Sequence, residues 1–346
     1  MTPLRVALIG AGGIGELRAR AIAQTQGLQL LAIADTASER AHRLAGRFSA
    51  EAGRDSIETA TRRDVDIVVV STPPSSHAAI ALAAISAGKH VVCEKPLAHM
   101  LAAAEDMCAA AEASGVYLKT GFNHRYYPPV ALAQRLIASG KIGEVIMAQA
   151  YAGHPGGREF GNAWVTDPAV TGGGSLVDNG IHVLDLIRFF MGEMEAVQGF
   201  TANLVWPFPG AEDNAFAIFR SSSGKIAQLH SSWTQWRGYQ FWVEVVGQLG
   251  YVRASYPPML TEWGQINSPG LRARRQFQVF PWLQIKERLQ SWRSTVVESF
   301  VTELSAFAQG IRTGHDTPAT GRDGLRAMQM ADAVYRSSRE QREVCL

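Results

Sequence analysis

Cysteine is scarce in this 346-residue chain: it occurs three times, at Cys93, Cys108 and Cys345. None of the three forms a C-x-x-C pair, which argues against a disulfide framework and against a zinc site of the usual spacing. Charge of one sign is also lacking. The 33 Lys and Arg nearly balance the 31 Asp and Glu, for a formal charge of +2, so neither a nucleic-acid surface nor a membrane patch is indicated. No apolar run approaches the roughly 20 residues that span a bilayer. The start, "MTPLRVALIG", runs straight into an apolar strand with no signal-peptide pattern. Low-complexity tracts and repeats are missing too. These absences lead to the expectation of a cytoplasmic enzyme with reduced thiols. The composition, 47% hydrophobic and 18% charged, suits a globular protein with filled cores, and the length suits two domains of about 150 residues each.

The strongest local pattern comes first. "LRVALI" (4–9) reads as a buried parallel strand, and "GAGGIG" follows with Gly10, Gly12 and Gly15 in G-x-G-x-x-G spacing, opening a helix. The first glycine permits a tight turn, the second lets backbone approach a pyrophosphate, and the third lets helix and strand pack closely. Gly13 and Ile14 complete the loop, at a helix N-terminus suited to phosphate. A second apolar strand, "LQLLAIAD", ends in Asp35. An acid at that position accepts the ribose hydroxyls of NAD and repels the extra phosphate of NADP. Thr36 rather than Arg follows, so NAD is favoured, with Arg40 near enough to keep NADP in view.

Strands and helices continue to alternate through "VDIVVVST", a helix after Pro73-Pro74, "KHVVCEKP", a helix near 100–114, and "VYLKTGF". That alternation predicts a doubly wound parallel sheet with its ligand at the carboxyl ends of the strands. Thr72, Pro73, His77, Glu94 and Lys95 all fall at that edge. Lys95, read from its position alone, is an ordinary strand-end lysine beside Glu94. In a closed site it would stabilise a developing alkoxide.

From Asn123 onward the alternation stops. Residues 126–139 read as a helix, and five runs between 143 and 254 read as strands with glycine-containing turns, which suits an antiparallel sheet. Two amphipathic helices follow, near 295–311 and 321–338. The basic stretch 271–293 reads as an exposed connection or a subunit contact. Within "GGGSLVDNGIHVLDL" (172–186), helical spacing sets Asp178, His182 and Asp185 on one face. Such a face suits a metal site, an acid/base pair, or a polar helix start.

Taken in order, "GAGGIG", "STPPSSH", "GKHVVCEKPLA", "GFNHRYYP" and "GGGSLVDNGIHVLDL" resemble the motifs of the glucose–fructose oxidoreductase / inositol dehydrogenase (Gfo/Idh/MocA) family, over nearly the whole chain. The resemblance implies an α/β fold: a Rossmann domain over residues 1–122, then a substrate-binding and oligomerisation α/β domain over 123–346 with a large, open, mostly antiparallel sheet. It implies oxidation or reduction of one secondary alcohol of a sugar, sugar derivative or cyclitol, and a homodimer or homotetramer formed through the C-terminal sheet. By the same resemblance Lys95, Asp178 and His182 are catalytic, with His182 the proton acceptor. Asn123, Arg125 and Tyr239 become substrate contacts, joined by Trp164 from a glycine-rich loop that also holds His154 and Arg158. Two residues depart from the family pattern. Arg18 stands where many members have histidine, and His124 where arginine is common.

Alcohol oxidation also fits the chemistry of the 178–185 face. Hydride departure requires removal of the hydroxyl proton, for which an imidazole is the suited acceptor and a nearby carboxylate its orienter. A helix cap explains Asp178 alone, and a metal lacks further clustered ligands, so no metal is expected. Asp185 is assigned a structural role. Two rival expectations remain: an enzyme that retains NAD and uses transient oxidation to hydrolyse or eliminate a glycoside, and a non-catalytic nucleotide-binding protein. Net NADH formed in step with product excludes the first, and the presence of Lys95, Asp178 and His182 argues against the second.

Overall fold

Short apolar strands organise the N-terminal third: β1 (Leu4–Ile9), β2 (Leu28–Ala34), β3 (Glu51–Ala52), β4 (Ile67–Val70), β5 (His90–Cys93) and β6 (Leu118–Thr120). In the computed structural model, which describes residues 2–156, 160, 163–268 and 270–346, they form one sheet in the order β3-β2-β1-β4-β5-β6, and every pair is parallel. The intervening helices are α1 (Gly13–Gln24), α2 (Ser38–Phe48), α3 (Ser56–Ala60), α4 (His77–Ser86) and α5 (Leu101–Ser114). All four residues of β4 are buried, as a parallel strand covered on both faces requires.

The rest of the chain supplies α6 (Pro128–Ala138), β7 (Val145–Gly153), α7 (Pro168–Thr171), α8 (Ile181–Met191), β8 (Ala196–Ala202), β9 (Asn214–Arg220), β10 (Ile226–Ser232), β11 (Gln240–Gly247), β12 (Gly250–Tyr256), β13 (Leu260–Gln265), β14 (Arg274–Val279), α9 (Pro281–Gln290), α10 (Arg293–Thr313), α11 (Gly321–Glu340) and β15 (Val344–Cys345). Nine of its strands make a second sheet, β14-β13-β12-β11-β7-β10-β9-β8-β15. Only β7 and β10 run parallel; the other pairs are antiparallel. The expected fold class, a Rossmann sheet plus a large, mostly antiparallel sheet, is the observed one.

One face of the second sheet is covered. Val130 and Ala133 of α6, Val183, Leu184 and Ile187 of α8, and Ala331 and Val334 of α11 share a core with Ala217, Phe219, Leu229, Val243 and Val252. The alternate residues point away from that core. Phe216 and Ile218 on β9, Ile226 on β10 and Phe200 on β8 are exposed, so the outer face carries large apolar side chains among exposed Gln198, Arg220 and Gln228.

The chain forms two units: Met1–Asn123 with Glu287–Leu325, and His124–Lys286 with Arg326–Leu346. The return of 287–325 to the first unit departs from a division into two consecutive segments. Its reason is packing: Phe300, Leu304 and Phe307 of α10 share a core with Leu17 and Ile22 of α1 and with Val6, Leu8 and Val69 of the sheet. The basic stretch 271–293 is also more ordered than a connection, since it contains β14 and α9. All six residues of β14 are exposed, so no buried face backs the brief alternation of Phe277 and Val279 with Gln276 and Gln278.

Candidate active site

The nucleotide cradle is built by what its glycines omit. Gly10 has φ +102°, and a Cβ there would lie 2.5 Å from the carbonyl oxygen of Ser71. A Cβ on Gly15 would strike the carbonyl of Gly10, whereas one on Gly12 or Gly13 would meet nothing within 4 Å. The first and third positions are therefore closed by the protein, and the middle of the loop is open to a ligand. No side chain caps α1, so its first-turn N–H groups are available to an anion. At the end of β2, Asp35 accepts from the N–H of Ala11 (2.7 Å) through Oδ2 and from the N–H of Ala37 (2.8 Å) through Oδ1. Each oxygen keeps lone-pair capacity for a ribose hydroxyl. The open glycines, uncapped helix and terminal acid fit a dinucleotide; NAD supplies a hydride acceptor when bound.

At the next strand ends, Thr72 Oγ1 accepts from Ser76 Oγ (2.7 Å), and Pro73 stands beside it, partly exposed. His77, expected among the cofactor contacts, takes a different place. It is 0% exposed, with Nε2 at the carbonyl of Thr72 (2.8 Å) and Nδ1 at the carbonyl of Pro96 (3.0 Å). Burial lowers its pKa, so the neutral ring donates to one carbonyl at a time, tying the Thr72 turn to the Lys95–Pro96 turn. The Lys95–Pro96 peptide is cis. Glu94 is held from beneath by Arg18, which is fully buried, bonds Glu94 Oε1 through Nε (2.7 Å), pairs with Glu303 of α10, and lies over the Phe300 ring (3.6 Å). Two carboxylates around it hold the Arg18 pKa above its ordinary value, although burial alone acts to lower it.

In the second unit, residues 176–180 do not continue the α-helical spacing assumed from sequence. Leu176–Gly180 is a π-helical turn, and α8 begins only at Ile181. Such widened turns concentrate at functional sites. It sits on β10: Ser231 Oγ donates to the carbonyl of Ser175 (2.6 Å), and a Cβ on Gly180 would come within 2.9 Å of Ser231 Cβ. Within the turn, Asp178 Oδ2 accepts from His154 Nε2 (3.0 Å) and from Trp233 Nε1 (3.0 Å). His182 is 8% exposed, and its ring packs on that of His124 with centroids 3.9 Å apart. His124 Nε2 in turn bonds Tyr239 Oη (2.8 Å). Two clusters result: His154 and Trp233 on Asp178, and Tyr239 and His124 beside His182.

Residues 4–122 match the model of an oxidoreductase family with an NAD-binding Rossmann fold, and residues 130–253 match the GFO/IDH/MocA C-terminal domain. The inositol 2-dehydrogenase of Rhizobium meliloti (strain 1021) is 30% identical, over 99% of both chains. The chain belongs to the Gfo/Idh/MocA family. It is an NAD-dependent oxidoreductase. The myo-inositol 2-dehydrogenase of Thermotoga maritima is 28% identical over 99% of this chain and 98% of its own. A levoglucosan dehydrogenase solved with NADH and levoglucosan shares the fold, with TM-score 0.90, 23% identity, and coverage of 100% of this chain and 99% of its own.

The residues assigned through Gfo/Idh/MocA resemblance divide in the structure. Tyr239 joins His182 through His124, one of the two positions where this chain departs from the family pattern. Arg125, expected to face substrate, forks onto Asp185, Nε to Oδ2 at 2.7 Å and Nη2 to Oδ1 at 2.5 Å, with its guanidinium over Phe189. Asp185 thus takes the structural role expected of it. Asn123 donates through Nδ2 to Ser299 Oγ of α10 (3.0 Å). Trp164 is 40% exposed on a short 3₁₀ turn, Ala163–Thr166. Arg158 lies outside the described residues. The convergence of His154, from the glycine-rich loop, and Trp233 on Asp178 has no local sequence signal, because they lie 24 and 55 residues from it.

Proposed function

We propose that this NAD-dependent oxidoreductase oxidises one secondary alcohol of a sugar, sugar derivative or cyclitol. The observation that carries the reading is Asp178 held by two N–H donors on a π turn that leads directly into His182. In this reading His182 takes the hydroxyl proton, Asp178 stabilises the imidazolium that results, and Lys95 holds the oxygen as it becomes alkoxide-like. Gly10, Gly12, Gly13, Ile14, Asp35, Thr72, Pro73 and Glu94 form the cofactor side, with Asp35 setting a preference for NAD over NADP. Inositol dehydrogenases among the relatives support a cyclitol substrate.

A panel of inositols, sugars and sugar derivatives, assayed for NADH formation, tests the reading. Lys95→Ala and His182→Ala are expected to lower turnover by roughly 10²–10⁴-fold while NAD still raises Tm. Near-normal turnover in either variant removes that residue from the mechanism. NADH that fails to accumulate with product would transfer the assignment to transient oxidation of a glycoside. We further propose that the outer face of the second sheet forms the contact of a homodimer or homotetramer. The three cysteines, all free thiols, suit a cytoplasmic setting.

A further inference from the structure

Glu212 lies between β8 and β9, outside the cofactor loop and the 172–186 segment. It stands in the turn just before β9, 7% exposed, and both of its carboxylate oxygens grip the chain that leads into the π turn. Oε2 accepts from the N–H of Gly174 (2.9 Å), and Oε1 accepts from the N–H of Leu176 (2.7 Å) and from Tyr335 Oη of α11 (3.1 Å). Between these two, the N–H of Ser175 donates to the main-chain carbonyl of Glu212 (2.8 Å). Three consecutive amides of the Gly-rich entry are therefore bound by one residue. The glycines are fitted to it: a Cβ on Gly174 would strike the backbone of Glu212, and one on Gly173 would strike Tyr335 Oη.

We infer that Glu212 is a positioning residue for the proposed reaction, its ionised carboxylate clasping residues 174–176 so that the π turn presents Asp178 and His182 in working register. The inference rests on the dehydrogenase reading for its activity arm. The chemistry of the clasp makes it dependent on charge. An ionised carboxylate only accepts, which suits two N–H donors and a phenol. A proton on either oxygen weakens the bond which that oxygen accepts, so the clasp is complete only in the charged form. Burial pushes the Glu212 carboxyl up to about 7, against the pull of its hydrogen bonds from Leu176, Gly174 and Tyr335. The same burial drives the Tyr335 phenol well above its ordinary range, so it remains a donor.

Other charged groups on the packed elements are engaged elsewhere. Asp213 accepts from the N–H groups of Leu204, Val205 and Trp206. Asp178 is bound by His154 and Trp233, and Asp332 pairs with Arg336 beside Tyr335 on α11 (2.9 Å).

The test uses Glu212→Gln and Tyr335→Phe in the full chain, with two readouts. Hydrogen–deuterium exchange of peptides covering 172–186, measured above pH 7, is expected to quicken at least ten-fold in Glu212→Gln, while the α1 and β1 peptides are unchanged. With the substrate found in the panel, kcat is expected to fall at least ten-fold with the NAD Kd unaltered. The acid limb of the kcat–pH profile is expected to move to higher pH in Tyr335→Phe, which removes one donor to the carboxylate. Tyr335→Phe decides the matter if Glu212→Gln fails to fold. Unchanged exchange at 172–186 together with an unmoved acid limb overturns the inference. A wild-type enzyme inactive on every alcohol instead overturns the functional reading, and the exchange arm still decides the clasp.

Discussion

Both donors to Asp178 reach the same oxygen, Oδ2, and the tautomer of one of them follows from its surroundings. The N–H of Gly156 donates to His154 Nδ1 (3.0 Å), so that nitrogen is the acceptor. Nε2 therefore carries the proton and donates to Asp178. Trp233 is 0% exposed, and Trp233→Phe would leave a carboxylate without one of its charge-assisted bonds, an interaction worth about 1.5–3 kcal/mol. If half or more of that is felt in the transition state, kcat falls by roughly 3–150-fold. His154→Phe is expected to act in the same direction. Steady-state kinetics with the NAD Kd held as a control measure both; wild-type kcat in either variant would detach the donors from catalysis.

Glu212 makes a second prediction at this scale, in stability. Its folded pKa of about 7 stands above the ordinary glutamate value of 4.5. Between those values the folded state holds more protons than the unfolded one, so this group makes stability fall as pH rises from 4.5 through 7. The shift corresponds to about 3 kcal/mol. Glu212→Gln cannot titrate and is expected to flatten that slope, read as ΔTm between wild type and variant across pH 4.5–8. Activity is expected to change with the opposite sign over the same range, because the charged form completes the clasp.

At the scale of elements, the glycine-rich loop separates two kinds of constraint. Gly15→Ala collides with the Gly10 carbonyl and is expected to lower both Tm and NAD affinity. Gly13→Ala meets only open space and is expected to keep Tm while losing NAD affinity, because the added methyl faces the cofactor. A Gly13→Ala variant that binds NAD as well as wild type would place the pyrophosphate elsewhere. Strand β1, this loop and Asp35 were legible in the sequence because their geometry is local: each glycine answers to a neighbour within a few residues or to the adjacent strand. The π turn was not legible. A spacing argument presumes 3.6 residues per turn, and here residues 176–180 take a wider one, shaped by Glu212 from 36–38 residues away. Sequence reading therefore singles out Asp178 and His182 as candidates but not what holds them.

At the scale of the whole molecule, long-range pairing decides what pattern alone leaves open. Helix α10 was recognisable as amphipathic, yet its place in the first unit depends on Arg18 meeting Glu303, 285 residues apart, and on Phe300 under the same guanidinium. The two fold types could be read from the change in strand–helix alternation near Asn123; the return of the chain could not. The outer face of the second sheet makes a further prediction. Ile218 and Ile226 are 57% and 50% exposed, and the proposed subunit contact would bury them. Ile218→Asp combined with Ile226→Asp is expected to shift the protein to monomer in sedimentation with its circular dichroism unchanged. A wild-type monomer would remove the face from the assembly proposal.

The most direct test of the central claim is isotopic. Polyols deuterated at each carbinol carbon are incubated with the enzyme and NAD, and the NADH formed is weighed by mass spectrometry. Hydride transfer from a secondary alcohol predicts NADH that gains a single deuterium, as deuteride, from one carbinol position, in equal amount to the ketone produced, with both falling together in His182→Ala. NADH that carries no deuterium, or product that forms without net NADH, would contradict it.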